Sequence, residues 1–435
     1  MINQLTTSLW GDEAFSVVLS LKNIPDIIHI TGHDTAPPLY YILLHFWMQL
    51  FGQSEIAVRS LSLFFFSLLG ISIFFFSKEI YNKKIAIFSS LLVLLNPFLF
   101  LYAFEARMYM ILTLLTTLSI WFFITKRWTW FVIATTAALY THNFAFLVLS
   151  IEILFYLLSS LTKKPKKSIL LSPFPLSLVI ILLLYSPWIP ALYNQVTLAS
   201  ANFWIGKPHS NDLLALYKTF FAKNSPSLIA QAIFILSILV LLLRRYQAKI
   251  DLLLYLWLLL PPLEIFFLSQ IGKPAFFDRY LIECVPAISL LLSSSLKKPN
   301  LFSYCLLIII IAGLTTINNT TFFNPHKQPF RDLTSYVKNT YGEQTTIINY
   351  YTDHLHYFEL TYYHLDTKIY TKSPLPFWVG AALIDPHATI TTIPDKSTLL
   401  IMASGDIKQI NLPNFVEKNR KKFGDLYLFS YEKKQ

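Results

Sequence analysis

Two adjacent carboxylates, Asp12 and Glu13, stand in the stretch Trp10-Gly11-Asp12-Glu13-Ala14. Further along, acids and bases recur at the ends of apolar runs, in Glu105-Ala106-Arg107-Met108-Tyr109, Tyr140-Thr141-His142-Asn143 and Asp278-Arg279-Tyr280. A carboxylate that accepts a proton, set beside guanidinium groups that neutralise an anion, suits proton abstraction next to an anionic leaving group. Each group also has a plainer reading. Glu105 and Arg107 can satisfy one another at a helix end, His142 can be a hydrogen-bonded structural residue, and Arg279 can snorkel to an interface. His33 and Asp34, just before Pro37 and Pro38, can be turn formers. Charge held inside or against a membrane usually marks function, which favours the sharper reading of the set.

The elements around these residues are apolar. The chain has 435 residues, 54% of them hydrophobic and 14% charged, with a mean hydropathy of +0.52. That balance excludes a soluble protein of this length and predicts a polytopic α-helical membrane protein. Residues 1–55 hold no spanning segment. The Asp-Glu pair sits on an amphipathic stretch (Trp10, Ala14, Phe15, Val17, Val18, Leu19, Leu21) expected to lie along a membrane surface. After the prolines, a second helix is expected to run to about Phe51, too short for the ~20 residues that a crossing needs. Ten apolar spans follow, at about 56–77, 85–103, 108–125, 129–141, 143–161, 169–190, 227–243, 250–268, 280–296 and 301–317.

The net charge of +11 does not point to nucleic acid, because the basic residues fall in short loops between spans. One set of loops carries fourteen: Lys78, Lys83, Lys84, Lys126, Arg127, Lys163, Lys164, Lys166, Lys167, Arg244, Arg245, Lys249, Lys297 and Lys298. The other carries six: Arg107, Lys207, Lys218, Lys223, Lys273 and Arg279. The richer set is expected to be cytoplasmic, and ten spans then place both termini and the charged motifs on the outer face. Cys284 and Cys305 lie within apolar runs, so neither a disulfide framework nor a cysteine metal site is expected. Residues 1–10 lack the basic head and apolar core of a cleavable signal peptide.

Beyond residue 317 the character changes. Runs rich in β-formers (Thr345 to Tyr350, Ser397 to Met402, Leu426 to Phe429) mix with a helix-like stretch from Phe330 to Asn339, and residues 318–435 are expected to form a small soluble α/β domain outside the membrane. The expected organisation is therefore an outer loop with interfacial helices (1–55), a transmembrane domain of about ten helices (56–317) and the extracytoplasmic domain. No Walker or Rossmann glycine-rich loop is present.

The succession WGDEA, HDTAPPLYYILLHFWMQLFG, SEIAVRSLS, NPFLFLYAFEARMYMILTLL, ALYTHNFAFLVL and DRYLIECVPAISLLL resembles the GT-C-fold glycosyltransferases of glycosyltransferase family 39. These are relatives of the protein O-mannosyltransferases and of the aminoarabinose transferase that modifies lipid A. The likeness covers roughly residues 8–317. It implies an integral plasma-membrane transferase of the cell envelope. Such an enzyme takes a sugar from a polyprenyl-phosphate donor at the outer face and passes it to a lipid, glycan or protein acceptor. Asp12 would be the catalytic carboxylate with Glu13 its neighbour, while His33, Asp34, Tyr40, Glu105, Arg107, Tyr109, His142 and Arg279 would bind substrate. No cofactor is expected, and a divalent metal stays open. Members of that family open with a spanning helix ahead of the Asp-Glu loop, whereas this chain opens nearly at the loop. A polytopic lipid or glycan transporter is the rival class, but it calls for polar or broken segments at the bilayer midplane. Here most charge lies at the outer ends.

Overall fold

A computed structural model describes residues 2–161, 172–201, 203–222, 227–244, 248–297, 301–351, 353–405, 410 and 412–434. Lys163, Lys164, Lys166, Lys167, Lys223, Arg245 and Lys298, which enter the charge bias, lie outside the described residues. In chain order the helices are α1 (Gly11–Ser20), α2 (Ile24–Thr31), α3 (Leu39–Phe51), α4 (Glu55–Ile80), α5 (Lys83–Leu94), α6 (Pro97–Ala103), α7 (Tyr109–Ile124), α8 (Trp128–Leu139), α9 (Ala145–Leu161), α10 (Pro173–Tyr185), α11 (Ile189–Ala201), α12 (Ser210–Ala222), α13 (Leu228–Leu243), α14 (Ala248–Ile271), α15 (Val285–Ser293), α16 (Leu301–Phe323), α17 (Phe330–Tyr341) and α18 (His356–Tyr362). The strands are β1 (Ile347–Tyr350), β2 (Thr367–Tyr370), β3 (Thr389–Ile390), β4 (Thr398–Ser404), β5 (Phe415–Phe423) and β6 (Leu426–Lys433).

Contacts divide the chain into two compact units. The first comprises Met1–Thr35, Tyr41–Val58 and Asn324–Gln435, and the second Ala36–Tyr40 and Arg59–Phe323. This regroups the three stretches expected from sequence. The N-terminal residues pack with the C-terminal ones, and α16 carries the apolar region on to Phe323, six residues past the expected end.

In the first unit the sheet order is β3-β2-β1-β4-β6-β5. Strands β3, β2, β1 and β4 run parallel to one another, and β6 is antiparallel to both β4 and β5. Parallel pairing of β1 and β2 needs a crossover, and α18 supplies it. One face of the sheet is covered by Phe330, Leu333 and Val337 of α17 with Leu360 of α18. On the edge strand β5, Glu417, Lys418, Arg420, Lys421 and Lys422 leave the row of backbone groups charged and unattractive to a second edge.

Helix α1 departs from the expectation of a surface helix on a membrane. Its apolar side is met by α18: Phe15 stands edge-on to Phe358 with ring centroids 5.2 Å apart, and a Cβ added at Gly11 would fall 2.5 Å from the Cβ of Leu355. Of the stripe that looked membrane-bound, Ala14, Phe15, Val17 and Leu19 are buried in the packing, while Leu21 is exposed.

The second unit holds the apolar helices of an integral membrane protein. Over their described residues the ten expected spans are largely helical, but among those residues five helices are long and apolar enough to cross a membrane, or six if the bent pair α5–α6 is one span. The others, α7, α8, α9 and α13, run 16, 12, 17 and 16 residues, short of the ~20 that span the hydrocarbon core upright. Large apolar side chains such as Phe75, Trp130, Leu183, Leu242 and Ile308 stay exposed along these helices, as contact with lipid tails requires. The stretch 191–226, expected as loop, holds most of α11 and all of α12.

The bend between α5 and α6 is 60°, and its cause is local. Pro97 opens α6 without a backbone donor, and the Asn96 side chain accepts from the N–H groups of Phe98 and Leu99, each at 3.1 Å. Asn96 Nδ2 also donates to the Phe220 carbonyl at 2.9 Å, fixing α12 against the bend. Helices α7, α8 and α9 are tied by a buried ladder in which Ser119 donates to Glu152 Oε1 at 2.6 Å and meets Thr135 Oγ1 at 2.7 Å. Such bonds between apolar helices fix their relative rotation where burial alone distinguishes few alternatives.

Candidate active site

Asp12 and Glu13, neighbours in sequence, are placed differently. Both lie in the first turn of α1, where the helix dipole favours negative charge. Glu13 is fully buried; its Oε2 accepts from Lys327 Nζ at 2.9 Å and from the Trp10 backbone N–H at 3.4 Å. Asp12 is only half-buried, and its backbone carbonyl accepts from Ser16 Oγ at 2.8 Å. The arrangement commits Glu13 to holding the turn, while Asp12 is the less buried of the two, with its Oδ2 inside the structure. His33 is exposed, its Nδ1 donating to the His29 carbonyl at 3.0 Å, a contact of a helix end. Asp34 is buried at the turn after α2. These four residues belong to the first unit.

Tyr40, Glu105, Arg107, Tyr109, His142 and Arg279 belong to the second. Residues 104–108 are irregular and α7 begins at Tyr109, so Glu105 and Tyr109 do not share a helical face. The turn instead wraps Arg107 back, its N–H donating to the Glu105 carbonyl at 2.8 Å and its carbonyl accepting from Ser62 Oγ at 3.2 Å. The Tyr109 ring collects both arginines, with the guanidinium carbons of Arg107 and Arg279 each 5.9 Å from its centroid. The His142 ring lies 6.2 Å from Tyr109 and 5.4 Å from Tyr280. Glu105 acts electrostatically on the Tyr102 hydroxyl, and that ring is 4.9 Å from Tyr109. Tyr40 is fully buried; beside it the Leu39 N–H donates to the Tyr140 carbonyl at 3.0 Å, tying the start of α3 to the turn that carries His142.

His142 sits in the turn between α8 and α9, where burial and then the positive charges of Arg107 and Arg279 push its pKa down to about 3. The ring is therefore neutral near pH 7. Its Nδ1 accepts the Phe144 backbone N–H at 3.1 Å, which assigns the proton to Nε2 and makes that atom a hydrogen-bond donor.

Sequence reasoning missed the cage around Arg279. Its guanidinium carbon lies 5.2 Å from the Phe277 ring, 5.8 Å from Tyr280 and 6.0 Å from Trp204, a setting that replaces water with aromatic faces while keeping the charge. Beside it a cavity of about 350 Å³ is lined by Trp204, Lys207, Asp212, Phe277 and Asp278, among others. The short 3-10 segment Asp278–Cys284 is anchored by Trp257 Nε1, which donates to the Glu283 carbonyl at 2.6 Å. Among the described residues, no group of three or more His, Cys, Asp or Glu side chains is spaced to hold a metal ion.

Residues 35–190 match the sequence family described as dolichyl-phosphate-mannose-protein mannosyltransferase. Over the whole chain the fold matches ArnT from Cupriavidus metallidurans in the apo state, with a TM-score of 0.67 at 12% identity, covering 98% of this chain and 95% of that one. The chain has a GT-C, ArnT-like fold. The same ArnT bound to undecaprenyl phosphate gives 0.63 at 13% identity with the same coverage. The oligosaccharyltransferase of Archaeoglobus fulgidus in complex with Zn and sulfate gives 0.52 at 14%, covering 83% of this chain and 58% of that one. No curated protein sequence matches the chain. The family match includes Tyr40, Glu105, Arg107, Tyr109 and His142 and leaves Asp12 and Arg279 outside it.

Proposed function

We propose that this glycosyltransferase takes a sugar from a polyprenyl-phosphate donor at the outer face of the membrane and passes it to an acceptor hydroxyl with inversion. The observation that carries the reading is the cluster of buried Arg107, Tyr109 and His142 with half-buried Arg279. It presents two guanidinium groups and a neutral Nε2 donor, a set suited to a phosphate ester in a site with little water. The match to a fold whose ArnT example was crystallised with undecaprenyl phosphate supports it.

In this reading the acceptor oxygen attacks the anomeric carbon while the bond from that carbon to the phosphate oxygen breaks. Asp12 takes the hydroxyl proton, and polyprenyl phosphate leaves with its charge neutralised by Arg107 and Arg279. Attack from the side opposite the phosphate inverts the centre. Glu13 fixes the turn and takes no proton. No cofactor is assigned a part. Transport without glycosyl transfer, the rival class, finds no support in the match to a transferase family. Placement in the plasma membrane with both termini outside rests on the charge bias of the loops.

Asp12→Asn tests the chemistry, since it removes the base and keeps the size. Turnover is expected to fall about a hundredfold or more at unchanged protein level, and near-normal transfer by that variant would move the base elsewhere.

A further inference from the structure

The first unit buries four ionisable side chains behind the Asp12 turn. Glu13 pairs with Lys327 at 2.9 Å, with side-chain exposures of 0% and 8%. His356 Nδ1 lies 2.6 Å from Glu359 Oε2, and both of these side chains are buried as well. The two pairs are not independent, because the Glu13 charge acts on Glu359 and, with Asp353, pushes its carboxyl up, burial being the larger cause. Around them α18 presents one face to α1. Leu355 meets Gly11, Phe358 meets Phe15, and Glu359 lies one residue further on. The far side of the Phe15 ring is closed by Gly380, at a φ of +75°, where an added Cβ would fall 2.6 Å from the ring.

Burying four such groups is costly, and a hydrophobic packing of the same volume is often no less stable. Stability alone is therefore a weak reason for the network, whereas a charged pair fixes direction in a way that an apolar contact does not. Lys327 reaches α1 from the segment that leads into α17, and the end it reaches is the turn carrying Asp12. Two successive residues divide the work: Glu13 is the handle and Asp12 is the less buried carboxylate beside it.

We propose that Lys327, acting through Glu13, and the His356–Glu359 pair, acting through the α18 face, are positioning residues that hold the Asp12 turn in its working geometry. The segment after residue 323 is then part of the catalytic apparatus and not an appendage to it. This rests on the reading of Asp12 as the base.

The test uses the full chain purified in lipid, with turnover and donor KM measured for Lys327→Met, Lys327→Arg, the double variant Glu13→Gln/Lys327→Met, and Asp12→Asn. Displacing a reacting group by about 1 Å costs up to a hundredfold in rate. Lys327→Met is accordingly expected to lose on the order of tenfold to a hundredfold in kcat, with donor KM little changed. Lys327→Arg is expected to recover most of the loss. The double variant leaves no buried charge uncompensated, so it should regain the thermal stability that Lys327→Met loses while kcat stays low. A double variant with normal stability and normal kcat overturns the inference, because the pair then serves folding alone. Full turnover by Asp12→Asn overturns the reading of the base itself, and the inference with it.

Discussion

The guanidinium carbon of Arg279 stands 5.9 Å from the centroid of the Tyr109 ring, although the two residues open segments far apart in the chain. Tyr109 starts α7 and Arg279 lies in the 3-10 segment that leads into α15. The ring meets the guanidinium at a cation–π distance, and in the proposed reading that guanidinium faces the donor phosphate. Arg279→Ala and Arg107→Ala are each expected to raise the donor KM and to lower kcat, because phosphate charge is present in the ground state and grows as the bond breaks. Arg279→Lys should recover little, since an ammonium neither stacks among Phe277, Tyr280 and Trp204 nor binds two oxygens at once. Steady-state kinetics with a short-chain polyprenyl-phosphate sugar reads both parameters. Wild-type values for Arg279→Lys would reduce the cage to a hydrophobic contact.

A pH dependence follows from Glu359. Burial, with Asp353 and Glu13 adding to it and His356 opposing, raises its carboxyl from 4.5 to about 7. The folded chain thus holds a proton that the unfolded chain releases between those values. This contribution to stability is complete below pH 4.5 and is lost as pH rises through 7. Glu359→Gln keeps a hydrogen-bonding partner for His356 and cannot ionise. Thermal unfolding followed from pH 5 to pH 8 should show the wild type losing stability against the variant as pH rises. Parallel curves for the two proteins would mean that Glu359 is ionised throughout.

The side of the membrane is checked by labelling. Single cysteines at Ser8 and Ser397, in a chain lacking its own two, are expected to react with an impermeant maleimide in intact cells. Reaction only after permeabilisation would place both positions, and Asp12 with Ser8, on the cytoplasmic side.

Local features of the fold were legible in sequence because they depend on local chemistry. The pair Pro37-Pro38 marks the start of α3, and the chain ends that helix at Phe51 as expected. The β-rich runs after residue 340 became β1, β4 and β6. Arg107, Tyr109, His142 and Arg279 were singled out by their positions at the ends of apolar runs, and they do gather. The irregular stretch at 104–108 was not legible, because no glycine or proline announces it. Helix α12 was missed because its polar residues Asn211, Asp212 and Lys218 lower its hydropathy below that of a span. Trp204, which helps to cage Arg279, lies in the same unflagged stretch. The Glu13–Lys327 pair joins residues more than three hundred positions apart, and no periodicity of either segment points to the other. A lysine in a polar loop looks like solvated charge until the packing is seen.

The most direct measurement is donor choice. Purified protein in lipid vesicles is given one sugar in two forms, a polyprenyl-phosphate sugar and the corresponding nucleotide sugar, each with a hydroxyl acceptor. Product is followed by mass spectrometry. Transfer from the lipid-linked donor, absent with the nucleotide sugar and abolished in Asp12→Asn, is the predicted result. Efficient transfer from the nucleotide sugar with no lipid intermediate present would contradict the account and leave the shared fold as the whole of the resemblance.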